Sequence, residues 1–104
     1  MANNWNIPAS LEKEVRERDR ACVYCGNEFL THKESAKASA SWEHIINDAR
    51  IITRENIALC CRSCNASKGQ KQLSLWLQTK YCKERGITPE SVAPIIQQAI
   101  ENGQ

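Results

Sequence analysis

The sequence predicts a small α+β fold, stapled by four of its cysteines and flanked by helices. Three observations carry that prediction. Two Cys-x-x-Cys pairs, Cys22–Cys25 and Cys61–Cys64, stand on either side of a short stretch rich in aromatic and β-branched residues. Apolar residues recur at helical spacing before the first pair and again after the second. With 104 residues, 41% of them hydrophobic, the chain amounts to one domain over 1–104. At that size the core is marginal and a cross-link or bound metal would offset the shortfall.

Each element follows in order. Met1–Ile7 reads as a loose arm. Ser10 can cap a helix over about 10–19, with Leu11 and Val15 on one face and Glu12 and Glu14 in the favourable first turn. The stapled core then spans about 20–70. Its first Cys-x-x-Cys turn covers Ala21–Gly26, where Gly26 tolerates the positive φ such a turn requires. His32–Ser41 is small and polar and reads as an exposed loop. Trp42–Asn47 reads as a strand, Ile51–Thr53 as a short continuation of the sheet, and Asn56–Cys60 as a second strand. A helix starts near Cys64 and runs through Lys68. Leu73, Trp76, Leu77 and Tyr81 set out a helix over about 73–85 that stops at Gly86. Thr88-Pro89-Glu90 reads as the start of a last helix over about 89–101, with Val92, Ile95, Ile96, Ala99 and Ile100 as its apolar stripe packing onto the core.

The cysteine pairs point to metal. Thiolates at a two-residue gap wrap one tetrahedral zinc ion from a tight turn, so Cys22, Cys25, Cys61 and Cys64 are the expected ligands of a structural zinc. Disulfides are the weaker use, because residues 1–10 lack the basic and apolar parts of an export signal. The cytosol is the expected compartment. The separation of the pairs exceeds the usual 15–20 residues, which implies a functional insertion between them. Cys60 and Cys82 are spare; Cys60 reads as a small buried side chain in an apolar strand.

Charge sharpens the picture. The net charge is +2, yet residues 62–85 hold Arg62, Lys68, Lys71, Lys80, Lys83 and Arg85 against Glu84 alone. A basic stretch beside a reactive site suits a polyanion such as nucleic acid; taken alone, a solvated helix face is the plainer account of it. No apolar run approaches the roughly 18 residues of a membrane span, so no membrane partner is expected.

The insertion carries Trp42-Glu43-His44-Ile45-Ile46, then Asn56-Ile57-Ala58-Leu59, and the second pair opens Cys64-Asn65-Ala66-Ser67-Lys68-Gly69. Arg18–Gly26 leads into the first pair. In this order, over about residues 16–70, the sequence resembles the HNH endonuclease family, in particular its cysteine-containing branch. The resemblance implies a ββα-metal fold with a catalytic divalent ion, and hydrolysis of DNA phosphodiester bonds by nicking or double-strand cleavage. It makes His44 the general base, Glu43 and Asn65 ligands of a magnesium or manganese ion, and Asn56 the brace of the loop between the strands. Histidine titrates nearest neutral pH and suits the base's task. Carboxylate and amide oxygens suit a hard ion. Lys68 lies one helical turn from Asn65, where it could reach the scissile or a neighbouring phosphate. Adjacent strand residues face opposite ways, so a bulge is expected to converge Glu43 and His44. Glu43 stands where Asp is usual and Asn65 where the last histidine of the name would be. Asn47-Asp48-Ala49-Arg50 replaces the usual Pro and Gly-Gly, and Asp48 is a lower-ranked extra ligand.

The competing reading is a zinc-stapled nucleic-acid-binding or protein-interaction module without catalysis. His32 reads as an exposed loop residue, and Trp5, Trp42 and Trp76 as packing. RNA carries the same phosphodiester as DNA and remains open as a substrate. A nuclease this small is expected to need aiming, by a larger protein or by a second copy docked through the apolar helices. The resemblance adds a bacterial, phage or mobile-element setting.

Overall fold

A computed structural model describes residues 5–104, so Met1–Asn4 of the expected N-terminal arm lie outside the described residues. The elements are α1 (Ala9–Arg18), β1 (Ala40–His44), β2 (Ile57–Cys61), α2 (Arg62–Lys68), α3 (Leu73–Trp76), α4 (Lys80–Glu84) and α5 (Pro94–Glu101). β1 and β2 pair antiparallel in a regular register from Ala40 opposite Cys61 to His44 opposite Ile57. With α2 following β2 directly, the centre of the chain is a ββα unit.

The two-stranded sheet is covered on both faces, which explains why all five residues of β2, Ile-Ala-Leu-Cys-Cys, are buried. One face carries Ala58 and Cys60 against Tyr24, Trp76, Leu73, Cys82 and Ile96. The other carries Trp42, Ile57 and Leu59 against Ile7 and Val15 from the α1 side. Within the larger cluster the Trp76 indole donates to Ser67 Oγ at 2.9 Å, and its ring meets Tyr24 edge-on at 4.8 Å. Such pairs add about 0.5–1.5 kcal/mol beyond the area they bury.

Several boundaries differ from the sequence reading, each for a local reason. α1 starts one residue early because Pro8, not Ser10, occupies the cap, and its carbonyl accepts the first helical bond from Glu12 N at 2.9 Å. β1 covers 40–44 rather than 42–47, because the chain turns at Ile46, whose N–H donates to Asn56 Oδ1 at 2.6 Å. Ile51–Thr53 adds no strand; the Thr53 carbonyl accepts from Asn56 N and Ile57 N, so a turn forms there. α2 begins at Arg62, two residues before Cys64, with Cys61 Sγ capping Cys64 N. The expected helix over 73–85 is broken into α3 and α4. Thr79 does this by donating to Trp76 O at 2.6 Å and accepting from Cys82 N, so it closes one helix and caps the next. The last helix starts at Pro94, not near Pro89. Thr88 and Ser91 bond reciprocally in a turn. Proline then forces the preceding Ala93 into an extended conformation (ψ 155°), and Ala93 N–H goes to Val23 O at 2.9 Å instead of into a helix.

The end of α1 is pinned to β2 by charge. Asp19 Oδ2 accepts the outward-facing Leu59 N–H at 3.0 Å. Arg18 grips both oxygens of Asp19, at 2.7 and 2.9 Å, and also donates to Ile57 O and Arg54 O. Asp19 is thus a buried carboxylate whose two oxygens both accept hydrogen bonds, occupying an edge that would otherwise expose a ladder N–H. Asp19→Ala should lower the unfolding free energy by about 2–3 kcal/mol. Urea denaturation reads this, and a loss below about 0.5 kcal/mol, the level of an ordinary surface change, would refute the role.

Candidate functional site

The four paired cysteines converge. The ligand atoms of Cys22, Cys25, Cys61 and Cys64 all lie within 4.8 Å of one another, and this is the only such group of metal-ligating side chains among the described residues. Cys25 Sγ and Cys61 Sγ are 3.9 Å apart. A tetrahedral zinc with Zn–S near 2.3 Å sets its sulfurs about 3.8 Å apart, so the spacing fits the ion. Each turn also aims a backbone N–H at its first sulfur: Cys25 N to Cys22 Sγ at 3.5 Å, and Cys64 N to Cys61 Sγ at 3.4 Å. Those donors stabilise thiolate. The Tyr81 hydroxyl, 2.8 Å from Ser63 Oγ, adds a donor to Cys64 Sγ at 3.4 Å.

The electrostatics agree with that use. Hydrogen bonds from Cys61 and Cys64 pull the Cys22 thiol down to about 2. Burial pushes Cys25 up to about 11, and its bonds to Cys22 and Cys61 push Cys64 up. Four thiols packed this closely cannot all ionise without a cation among them. Zinc-loaded protein should therefore carry about one zinc per chain, by metal analysis after dialysis. Cys22→Ser or Cys64→Ser should lose the zinc together with the folded circular dichroism signal; retention of both would overturn the clasp.

Tyr24 sits inside the first turn, between its two ligands, and reaches to β1. Its hydroxyl donates to Glu43 Oε2. The same oxygen lies 3.1 Å from Lys68 Nζ, which also donates to Ile45 O at 3.1 Å. Lys68 is 1% exposed and Glu43 5%. Burial raises the Glu43 carboxyl's pKa, while Lys68 and Tyr24 work against that rise. One carboxylate thereby links the cysteine turn, β1 and α2. A lone charge left in such a place is costly. Lys68→Met should cost about 3–5 kcal/mol in urea unfolding, and the Glu43→Gln, Lys68→Met double variant should recover part of it. An equal loss in both proteins would mean that the pair is not the source.

Strand geometry separates this ion pair from His44. The register runs unbroken through residue 44, so the expected bulge is absent and Glu43 and His44 face opposite sides of β1. Glu43 turns toward α2. His44 turns toward Trp5, whose ring lies 5.0 Å away, edge-on. His44 Nε2 is buried with no hydrogen-bond partner among the described residues. Desolvation lowers its pKa, with the Lys68 charge adding to this and Asp48 opposing it. The neutral ring is favoured, the form in which a base must start.

Asn56 holds the chain just beyond His44. Besides accepting from Ile46 N, its Nδ2 donates to Ile46 O at 3.2 Å and Ile51 O at 3.1 Å. Asn65 donates through Nδ2 to Trp42 O at 2.9 Å and Ser41 Oγ at 3.0 Å, which leaves its Oδ1 as an acceptor beside β1. Asp48 is gripped by Arg50 through both oxygens and held down to about 2. The residues that the sequence reading set aside for a catalytic ion are therefore dispersed: Glu43 is paired with Lys68, Asp48 with Arg50, and Asn65 with the edge of β1. As arranged, they do not form a site for a magnesium or manganese ion. Lys68, buried against Glu43, does not stand at the surface where a phosphate could meet it. Sequence reasoning missed Tyr24 as the third member of the buried group, and the only signal was its place between two ligands.

A ββα unit closed by a four-sulfur clasp defines a ββα-metal domain. Residues 22–71 match the model of the HNH endonuclease family, and the four clustered cysteines fit a zinc-binding variant of that domain. No curated protein and no solved structure matches the chain.

Proposed function

We propose that the chain is a nuclease that hydrolyses phosphodiester bonds in DNA, with His44 as the general base that activates water. The observation that carries this reading is the His44 ring: unpartnered at Nε2 among the described residues, its pKa lowered by burial, and placed where the strand ends and Asn56 fixes the following turn. A base needs a free lone pair and a fixed position, and those supports supply both. The domain family consists mainly of nucleases. A magnesium or manganese ion would supply positive charge to the phosphorane-like transition state, but Glu43 and Asn65 as arranged do not hold one, and no step is assigned to them. In this structure the charge beside Glu43 is the Lys68 ammonium.

That ion pair favours a second reading, a zinc-stapled module that binds nucleic acid without cutting it. Glu43 and Lys68 there form part of the fold rather than of a reaction. The setting proposed is the cytoplasm of a bacterium, or a phage or mobile element. No helix among the described residues is long and apolar enough to cross a membrane. A second copy through the apolar helices has less to stand on, because Leu73, Trp76, Leu77, Val92, Ile96 and Ala99 are buried in the chain's own core. Aiming by a larger protein remains the proposal.

Supercoiled plasmid separates the two readings. Zinc-loaded protein should convert it to nicked or linear DNA when magnesium or manganese is added, and His44→Ala should slow this by about 10²–10⁴-fold. Equal nicking by both proteins, or none with any divalent ion, removes the nuclease reading.

A further inference from the structure

A hollow lies along β1, bordered also by Arg62 and Asn65 of α2. It measures about 630 Å3 and is bordered by Trp5, Trp42, Leu30, Arg16, Arg62 and Asn65 among others. That volume falls inside the range of about 300–1,000 Å3 of small-molecule sites. Its chemistry has two halves. Trp5, Trp42 and Leu30 give apolar and aromatic walls; Trp5 is 44% exposed and Leu30 42%. Arg16, Arg62 and His32 give positive or protonatable groups, and no carboxylate borders it. Arg16 lies over the Trp42 ring at 5.0 Å, with Glu12 behind it at 3.7 Å. Arg62 is the freer cation: it is exposed and leans on His32, Nη1 to Nδ1 3.5 Å.

We propose that this hollow takes one unpaired nucleotide of a nucleic-acid strand, its base against the Trp5 indole and its phosphate on Arg62. The proposal rests on the nucleic-acid reading above and deepens it by naming the form of substrate. Aromatic faces beside guanidinium groups are the combination that single strands use, because every base has a π-face and every nucleotide a phosphate. A paired base cannot enter a hollow walled by side chains without leaving its stack, whereas an unpaired one can. The place also has consequences for the chemistry. Trp5 borders the hollow and touches His44, so a base seated on Trp5 brings its own phosphates to the face of β1 that carries His44. The orphaned Trp42 Nε1 and His44 Nε2 both lie on that face.

The test is binding, read by fluorescence anisotropy on zinc-loaded protein without added divalent ion. The probes are a labelled phosphorothioate single strand of about 12 nucleotides, the same strand as a blunt duplex, and a mononucleotide as competitor. The single strand should bind about tenfold tighter than the duplex. Trp5→Ala and Arg62→Ala should each weaken it by about five- to fiftyfold, and Trp5→Phe should restore most of the loss. Circular dichroism and zinc content must match the parent protein. Equal affinity for both forms, or a Trp5→Ala protein that binds the single strand as tightly as the parent, overturns the proposal. Competition by the mononucleotide at concentrations near the oligonucleotide's would replace a strand by a free nucleotide as the ligand, and also overturn it. Plasmid cleavage is scored apart: tight, Trp5-dependent binding without nicking removes only the nuclease reading, and His44-dependent nicking without Trp5-dependent binding removes only this one.

Discussion

The four-sulfur clasp is the constraint on which the rest of this structure depends. Cys61 is at once the last residue of β2, the N-cap of α2 and a clasp sulfur, so the ion that the cysteines suit fixes the angle at which the helix leaves the sheet. The first pair reaches the same place from a distant part of the chain. It lies along β2, where Val23 N donates to Leu59 O at 3.2 Å, and Val23 O in turn anchors Ala93 N ahead of α5. A chain of this length has few apolar contacts to spare for holding five helical pieces and a loop in register. The four clustered sulfurs bring both ends of the insertion to a single point.

The clasp is continued inward by polar contacts rather than by apolar packing. Tyr24 carries it to Glu43, and Glu43 carries it through Lys68 to α2. Replacing such a group by well-packed apolar residues is often neutral or stabilising, so its presence is not explained by stability alone. Its effect is directional. A tyrosine hydroxyl, a carboxylate and an ammonium satisfy one another in one arrangement, and that arrangement sets the helix against β1 at residue 43. Because side chains alternate along a strand, fixing Glu43 inward also fixes His44 outward. The cysteine clasp, through Tyr24, thereby bears on which side of the sheet the imidazole faces.

The sequence made the metal group legible and much of the polar geometry not. Cys22, Cys25, Cys61 and Cys64 could be read from spacing because metal coordination requires few residues at a short, fixed interval. The order of Glu43-His44, Asn56 and Asn65-Ala-Ser-Lys68 made the family readable for the same reason, and the match over residues 22–71 bears it out. Element boundaries were less legible where one side chain outweighed periodicity. Leu73 to Tyr81 keeps a helical rhythm, but Thr79 bonds both neighbouring helices and interrupts it. Thr88-Pro89 has the form of a helix start, yet Pro94 imposes the later one by restricting Ala93. The pairing of Glu43 with Lys68 was hidden for a different reason. A carboxylate beside a histidine reads as a ligand in sequence, and only tertiary placement reveals an ammonium 25 positions away on the same oxygen.

The alternation that splits Glu43 from His44 also divides the sheet by task. On the α2 side, Ser41 and Glu43 bond to Cys60 O, Tyr24 and Lys68, and every contact serves to hold elements together. On the other side, Trp42 and His44 each retain a buried nitrogen with no partner among the described residues. Native proteins seldom leave such groups unsatisfied without a role for them. His44 is the last residue of its strand, and Asn56 makes three bonds to the turn that follows. A ring set at that point is held by the ladder on one side and by an amide brace on the other. Its nitrogen can stay unpaired because its neighbours, rather than a bond of its own, keep it in place.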